Sequence, residues 1–195
     1  TLAYELTEGI AMGTVTWRPR SGPLPLDTIH SKILVGDELN QGSFTGLIAN
    51  SPELVDSTIY DIIFTATEVP GNTIIPETIL SFTFDTLAPN FSMLGPDSFA
   101  FINNSRVSYQ ISEDLASGQV SWRRISGITE EENTVYIIEL VDTTELVGGE
   151  YTNILPANDN EDFLVDGEIY NVTWTGIDKA GNPTRLEFIS TEVVY

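Results

Sequence analysis

The chain has 195 residues, 41% of them hydrophobic, which is enough for one large domain or two smaller domains with apolar cores. Its 29 acidic residues outnumber its 8 lysines and arginines, and the formal net charge of -21 repels nucleic-acid phosphates and anionic lipids while it attracts divalent cations. Cysteine is absent, which excludes disulfides, thiolate zinc sites and cysteine nucleophiles, and no apolar run approaches the roughly 20 residues of a membrane span. We therefore expect neither nucleic-acid binding nor membrane insertion.

The first strongly patterned segment, Tyr4 to Arg18, recurs without gaps as Tyr109 to Arg123. Identical residues occupy matching positions at Tyr4/Tyr109, Glu8/Glu113, Ala11/Ala116, Gly13/Gly118, Val15/Val120, Trp17/Trp122 and Arg18/Arg123. Internal self-similarity of this kind predicts a repeat architecture.

Two later segments extend the repeat. LVDSTIYD, Leu54 to Asp61, matches LVDGEIYN, Leu164 to Asn171, and EVPGN at 68–72 matches DKAGN at 178–182. The offset between the copies grows along the chain, so the second copy contains extra residues, some of them in the polar run 156–162. Insertions in a polar stretch between patterned segments indicate a surface loop.

The segment FDTLAPNF, residues 84–91, joins the two copies. Pro89 restricts its own backbone and that of the preceding residue to extended conformations, which predicts a short and rather stiff connector. We place the boundary near Leu87, which gives domains over residues 1–87 and 88–195. Because the first copy has no counterpart of Phe91–Asn104, we expect a fragment of a longer chain whose first domain lacks its leading strand.

Segments rich in β-branched and aromatic residues follow one another through the second copy, and several alternate apolar and polar residues. They are Val107–Ser112, Gln119–Ser126, Thr134–Val141, Ile169–Ile177 and Thr184–Tyr195. Polar turns separate them at the spacing typical of sandwich strands, and the only helix-like patches are short, around Glu38–Leu39 and Glu145–Leu146. The pattern predicts an all-β protein of two tandem immunoglobulin-like Greek-key β-sandwich domains.

Two of the three tryptophans are predicted to lie in the cores, and the third, Trp174, in a core or at its flank. Trp17 and Trp122 occupy matching mid-strand positions, and Trp174 lies on an alternating strand with Tyr170. The alternative is a surface that stacks on carbohydrate, which would need exposed aromatic residues on one sheet face. Its candidates, Tyr60, Tyr170 and Trp174, mostly follow the pattern of inward-facing residues.

The segments that end EVPGN and DKAGN are predicted to be hairpin turns. Gly71–Asn72 and Gly181–Asn182 supply the positive φ angles that such turns need. Asp178 can bond its own backbone in such a turn, but its loop also gives it a second candidate role.

With these motifs, the chain resembles the tandem immunoglobulin-like repeats of very large bacterial extracellular proteins of the adhesin or surface-layer type. The motifs that carry the resemblance are YQISEDLASGQVSW, ELVGGEY, LVDGEIYNVTWTGIDKAGN and, between the copies, DTLAP. The first copy departs from the pattern with EVPGN in place of the DxAGN turn. The resemblance implies an extracellular or cell-surface location and partners among neighbouring repeats, but such repeats act as spacers, adhesive modules or assembly modules.

Acidic residues are expected to gather at the connector. In an immunoglobulin-like sandwich, the loop after the second strand and the loop before the last strand lie where the chain enters, and in the second domain that end faces the connector. Oxygen ligands from two domains and a linker suit Ca²⁺, as in calcium-stiffened arrays that the connector resembles. The predicted ligands are Asp85, Glu113, Asp114 and Asp178, with Glu53 or Asp56 from the first domain. The alternatives are separate solvation of each acid, since no DxDxDG loop is present, and a local site in ANDNED, residues 157–162.

The chain offers few groups for catalysis. Its single histidine, His30, has no sequence partner for a Ser-His-Asp arrangement, and neither GxSxG nor a glycine-rich phosphate loop occurs. Paired carboxylates of the glycosidase type are conceivable in any acidic chain, but here the acids recur between the copies. Lys32 and Lys179 have no matching partner in the other copy, which favours solvated lysines over an isopeptide crosslink.

The sequence therefore predicts a non-catalytic structural or adhesive module of a large secreted or cell-surface bacterial protein. Its expected partners are neighbouring repeats of the same chain and a surface glycan or protein, and its expected cofactor is Ca²⁺ at the connector. The alternative is a carbohydrate-binding or accessory module of a secreted polysaccharide-degrading enzyme.

Overall fold

The computed structural model describes residues 2–45, 53–69, 77–126, 133–158, 163–184 and 190–195. The chain divides into two compact units, Thr1–Thr86 and Leu87–Tyr195. Strands in several antiparallel sheets build both units, so the prediction of an all-β protein is confirmed. Within the described part of the chain, no helix is long and apolar enough to cross a membrane.

The first unit contains two sheets. Its strands are β1 (Ala3–Leu6), β2 (Ile10–Ser21), β3 (His30–Ile33), β4 (Gly42–Thr45), β5 (Thr58–Glu68) and β6 (Glu77–Phe84). Strands β1 and β4 form a two-stranded sheet, and the other four form a sheet in the order β3-β2-β5-β6. One 3-10 turn, η1 (Gly36–Leu39), lies between β3 and β4.

The second unit repeats this plan with additional strands. Its strands are β7 (Phe91–Gly95), β8 (Ala100–Phe101), β9 (Val107–Ile111), β10 (Leu115–Ser126), β11 (Val135–Leu140), β12 (Gly149–Ile154), β13 (Ile169–Asp178) and β14 (Ser190–Val194). The sheet orders are β12-β9-β7 and β11-β10-β13-β14-β8, and β8 alone pairs in parallel among the described strands. A single helical turn, α1 (Asp142–Glu145), precedes β12. Each of the two predicted helix-like patches therefore overlaps one short helical turn, η1 in the first unit and α1 in the second.

The long strands β2 and β10 show how closely the two copies agree. Their patterns of buried and exposed residues are the same from Ile10 to Pro19 and from Leu115 to Arg124. Each strand also has a break in register near both ends where it pairs with the following long strand. Equivalent sequence therefore produces equivalent backbone, including the bulges that twist the strand.

Each unit has a core that draws on both of its sheets. In the second unit, Tyr109 from the smaller sheet packs in one cluster with Trp122 and Trp174 from the larger sheet. In the first unit, Leu6 and Trp17 do the same. All three tryptophans are 0% exposed, which confirms their predicted place in the cores.

Candidate functional site

Two acidic loops lie side by side at one end of the second unit. Leu115, the first residue of β10, pairs with Asp178, the last residue of β13. This register places the loop that precedes β10 next to the turn that follows β13. A carboxylate oxygen of Glu113 and one of Asp178 lie within 4.8 Å of each other, and Glu113 is half-buried. The fold therefore brings together two of the predicted metal ligands, whose like charges would repel each other without a cation.

Asp178 is fixed by the turn that it begins. Its Oδ1 accepts hydrogen bonds from the backbone N–H groups of Ala180 at 2.7 Å and Asn182 at 2.8 Å, and its Oδ2 accepts one from Asn182 Nδ2 at 2.8 Å. Burial by itself would raise the pKa of this carboxyl, but the hydrogen bonds from Asn182, Ala180 and Gly181 together lower it. Asp178 is thus a buried, ionised carboxylate in a rigid setting, a suitable ligand for a hard cation.

The turn after Asp178 has the predicted hairpin chemistry. Gly181 has a φ of +97°, in the region that favours glycine, and its N–H donates to the carbonyl oxygen of Asp178 at 3.2 Å. The prediction of a turn at Gly181–Asn182 is therefore confirmed. The corresponding residues of the first copy, Gly71 and Asn72, lie outside the described residues, as does part of the ANDNED segment, residues 159–162.

Asp114 has partners other than the neighbouring acids. Its Oδ2 lies 2.7 Å from Lys179 Nζ, and its Oδ1 accepts a hydrogen bond from the backbone N–H of Gly148 at 2.9 Å. The hydrogen bond from Lys179, followed by that from Gly148, lowers the pKa of Asp114. Because the charge of Lys179 balances that of Asp114, this carboxylate is engaged by the protein and is a weaker candidate ligand than the sequence predicts.

The chain enters the second unit beside these loops. The N–H of Asn90 donates to Ser112 Oγ at 2.9 Å, and the N–H of Ser112 donates to the carbonyl oxygen of Asn90 at 3.0 Å. Ser112 directly precedes Glu113. This reciprocal pair fixes the last part of the connector next to the acidic loop.

The remaining predicted ligands belong to the first unit. Asp56 Oδ1 accepts hydrogen bonds from the N–H of Thr86 at 2.6 Å and from its hydroxyl at 2.8 Å, which lower the pKa of Asp56. Asp56 therefore fixes the chain where it leaves β6. Glu53 is exposed, and Asp85 is half-buried directly after β6. The assignment of Asp85, Glu53 and Asp56 as metal ligands stays a prediction.

Sequence reasoning missed the role of a glutamate that occurs in both copies. Glu38 Oε2 accepts a hydrogen bond from the N–H of Val35 at 3.0 Å, and Glu145 Oε2 accepts one from Val141 at 2.7 Å. The carbonyl oxygens of these glutamates accept hydrogen bonds from the hydroxyls of Tyr4 and Tyr109, respectively. The sequence signal for this role was the recurrence in both copies of a Glu-Leu pair together with the aligned tyrosine. These acids stabilise a helical turn and are already engaged by the protein.

A second contact that occurs in both units involves Tyr60 and Tyr170, two of the candidate residues for a carbohydrate-stacking surface. Tyr60 and Tyr170 are 0% exposed, and the N–H groups of Val55 and Val165 each donate to the matching phenol oxygen at 3.0 Å. The Tyr170 hydroxyl also donates to the carbonyl oxygen of Phe163 at 3.2 Å. With the three tryptophans also buried, none of the aromatic residues proposed from the sequence forms an exposed stacking platform.

The second unit also contains a buried ion pair that the sequence did not suggest. Arg124 Nε lies 3.8 Å from Glu168 Oε2, and both residues are almost fully buried. The guanidinium also lies 5.9 Å from the centre of the Tyr170 ring. Pro19 occupies the matching position of the first copy, so the repeat offered no signal for this pair. It stabilises the second unit only if both charges stay paired.

The other singled-out polar residues have structural partners. The ring of His30 packs against that of Tyr60, with the centroids 6.1 Å apart. Lys32 Nζ lies 2.6 Å from Glu38, and Arg18 lies 3.5 Å from Asp61 on the neighbouring strand β5. Lys32 and Lys179 thus each lie in an ion pair, and Lys179 remains largely exposed to solvent, as predicted.

Comparison with protein-family models gives no match, and comparison with curated proteins gives none either. The function is therefore proposed from the residues, the repeat and the local geometry.

Proposed function

We propose that this chain is a non-catalytic structural or adhesive module of a large secreted or cell-surface bacterial protein. The observation that carries the proposal is the recurrence of one set of packing and capping residues in both units. Each unit has a buried Trp on its first long strand, a buried Tyr on its second long strand and a Glu in its helical turn. Duplication of structural residues is what a repeated spacer requires, because every module must fold in the same way.

We infer that each unit is an immunoglobulin-like Greek-key β-sandwich. Support comes from two sheets that share one core, a buried Trp on the long strands β2 and β10, and a Tyr whose phenol oxygen accepts a hydrogen bond from the backbone N–H five residues upstream. A central tryptophan and a tyrosine corner are recurring features of that fold. The hydrogen bonds between Asn90 and Ser112, which hold the entering chain beside the loop of Glu113, also support this inference.

Charge favours an extended array. The net charge of -21 over 195 residues makes neighbouring modules repel each other, which opposes collapse of a long chain and keeps it soluble. Neighbouring repeats are therefore the first expected partners, and a surface glycan or protein is the second.

We further propose that Ca²⁺ binds at the acidic loops. Glu113 and Asp178 supply two closely spaced carboxylates, and Asp85 is the predicted third. Asp85 lies five residues before Asn90, which is bonded to Ser112. Carboxylates and neighbouring carbonyl groups are the ligands that Ca²⁺ prefers, and a bound cation would relieve the repulsion between the acids.

Calorimetric titration of the chain with calcium chloride tests the ion site. We expect one site whose affinity falls about tenfold or more in Glu113→Gln and in Asp85→Asn, a loss of about 1.4 kcal/mol or more. Asp97→Asn is the matched control, since Asp97 is exposed and lies beyond the far end of β7, and it should not change the affinity. Absence of binding, or equal affinity in all variants, would show that the acids do not form a calcium site.

Force spectroscopy tests the structural role independently. Pulling on the chain ends should give two separate unfolding events, one for each unit, and calcium should raise the force of at least one of them. A chain that unfolds without resistance, or that degrades a polysaccharide, would contradict a spacer function.

A further inference from the structure

Two aromatic rings of the second unit that were not among the sequence candidates are exposed. Phe101, the last residue of β8, is 87% exposed, and Phe99 is 74% exposed. Strand β8 comes last in the sheet order β11-β10-β13-β14-β8, so both rings lie at one side of the larger sheet. Exposed apolar side chains that lie together and are bordered by polar groups are typical of binding surfaces.

Phe101 borders a cavity of about 230 Å³, which we call the asparagine pocket. Its polar side chains are those of Asn103, Asn104, Arg106, Ser108 and Asn153. Within the part of the chain that the structure describes, no acidic residue lines this pocket. Pockets for drug-sized molecules have volumes of about 300–1,000 Å³, so the asparagine pocket suits a smaller unit, such as one ring of a longer chain molecule.

Hydrogen bonds hold the polar side chains of the pocket in place. Asn104 Nδ2 donates to Asn103 Oδ1 at 2.9 Å, and Asn104 Oδ1 accepts the N–H of Arg106 at 3.1 Å. Arg106 Nη1 donates to the carbonyl oxygen of Asn153 at 3.0 Å. A guanidinium has five N–H groups, and a side-chain amide has two donors and two acceptor sites, so these groups can also bind a ligand. Because they are held in advance, little entropy is lost when they do so.

The backbone around the pocket departs from regular strand structure on both sides of β9. The pairing of β7 with β9 breaks between Ser92 and Gly95, and the pairing of β12 with β9 breaks between Tyr151 and Ile154. Nearby residues other than glycine have positive φ angles, namely Met93 at 51°, Phe99 at 64° and Asn153 at 52°. Such breaks redirect side chains, and bulky residues with positive φ are uncommon outside functional sites.

Charge and chemistry together favour one class of ligand. The net charge of -21 repels polyanions, and the pocket has no acid with which to bind a cation. An apolar peptide would leave the amide groups of the asparagines without partners, which is costly once water is displaced. A neutral sugar satisfies both kinds of group, because its hydroxyls bond to amides and guanidinium, and its C–H face packs against an aromatic ring.

We propose that the asparagine pocket binds one unit of an uncharged glycan, with a face of the sugar ring on Phe101. The sugar hydroxyls bind Asn103, Asn153 and Arg106. Phe99, two residues before Phe101, offers a second ring to a neighbouring sugar unit. The proposal rests on the adhesive form of the proposed function and gives it a binding surface.

Binding of the labelled intact chain to an array of immobilised glycans tests the proposal. The array carries uncharged glycans of glucose, galactose, mannose and N-acetylglucosamine, together with uronate and sulfated glycans. We expect binding to at least one uncharged glycan, and an affinity lower by about tenfold or more in Phe101→Ala and in Asn103→Ala. Ile137→Ala is the matched control and should keep its affinity, since Ile137 is 57% exposed on β11, at the other end of the same sheet order.

An NMR titration with the glycan that binds most tightly provides a second measurement. Shifts of the side-chain amide signals of Asn103, Asn104 and Asn153 support the proposal, and shifts confined to other residues overturn it. Failure to bind any uncharged glycan also overturns it, as does tighter binding of the uronate or sulfated glycans. Two unfolding events under force in a chain that binds no glycan would remove this inference and leave the spacer function intact.

Discussion

Replacement of Tyr170 by Phe is the sharpest test of how the second unit is stabilised. The phenol oxygen of Tyr170 accepts the N–H of Val165 at 3.0 Å and donates to the carbonyl oxygen of Phe163 at 3.2 Å, in a residue that is 0% exposed. Phe fills nearly the same volume but leaves both backbone groups without this partner. Because an unsatisfied buried donor costs about 1–3 kcal/mol, we expect the free energy of unfolding of the second unit to fall by that amount.

Urea unfolding followed through the indole N–H signals in NMR spectra measures this loss. The indole of Trp17 reports on the first unit, and those of Trp122 and Trp174 report on the second, so the two transitions are separated. The matched variant Tyr60→Phe should destabilise only the first unit, where the phenol accepts the N–H of Val55. A change below about 0.5 kcal/mol in Tyr170→Phe would be typical of a neutral surface substitution and would refute the reasoning.

Two further predictions concern acids near the ends of the units. The pKa of Asp178 is lowered in the folded protein, so its contribution to stability is present above the unfolded carboxyl value of about 3.9 and is lost as the pH falls through the folded pKa. Acid unfolding of the second unit should therefore be less steep in Asp178→Asn, and parallel titration curves would contradict this. Asp56→Ala should speed hydrogen exchange at the amide of Thr86, which loses its acceptor, while Glu53→Ala, at an exposed position, should leave that amide unchanged; equal exchange in both variants would show that Asp56 does not fix the strand end.

Several structural roles could be predicted because they depend on local pattern and duplication. The positions of Trp17 and Trp122 on alternating strands placed both in the core, and the structure confirms this. The glycine of the DKAGN turn could also be predicted, because a positive φ depends mainly on the residue itself. In contrast, the roles of Glu38 and Glu145 were missed, because the tyrosines that donate to their carbonyl oxygens lie 34 and 36 residues away in the sequence.

The partners of the acidic residues at the candidate site could not be predicted from the sequence. The sequence by itself determined that the fold is β, that its units repeat, that Glu113 and Asp114 lie in a loop and that Asp178 begins a turn, because periodicity and turn chemistry are local properties. Only the tertiary structure decided which acid has which partner. The register of β10 against β13 places Asp178 beside Glu113. It also allows Asp114 to form an ion pair with Lys179, which is distant in the sequence. Hydrogen bonds and ion pairs need partners within a few ångströms, and strand register, which depends on the whole core, determines those distances.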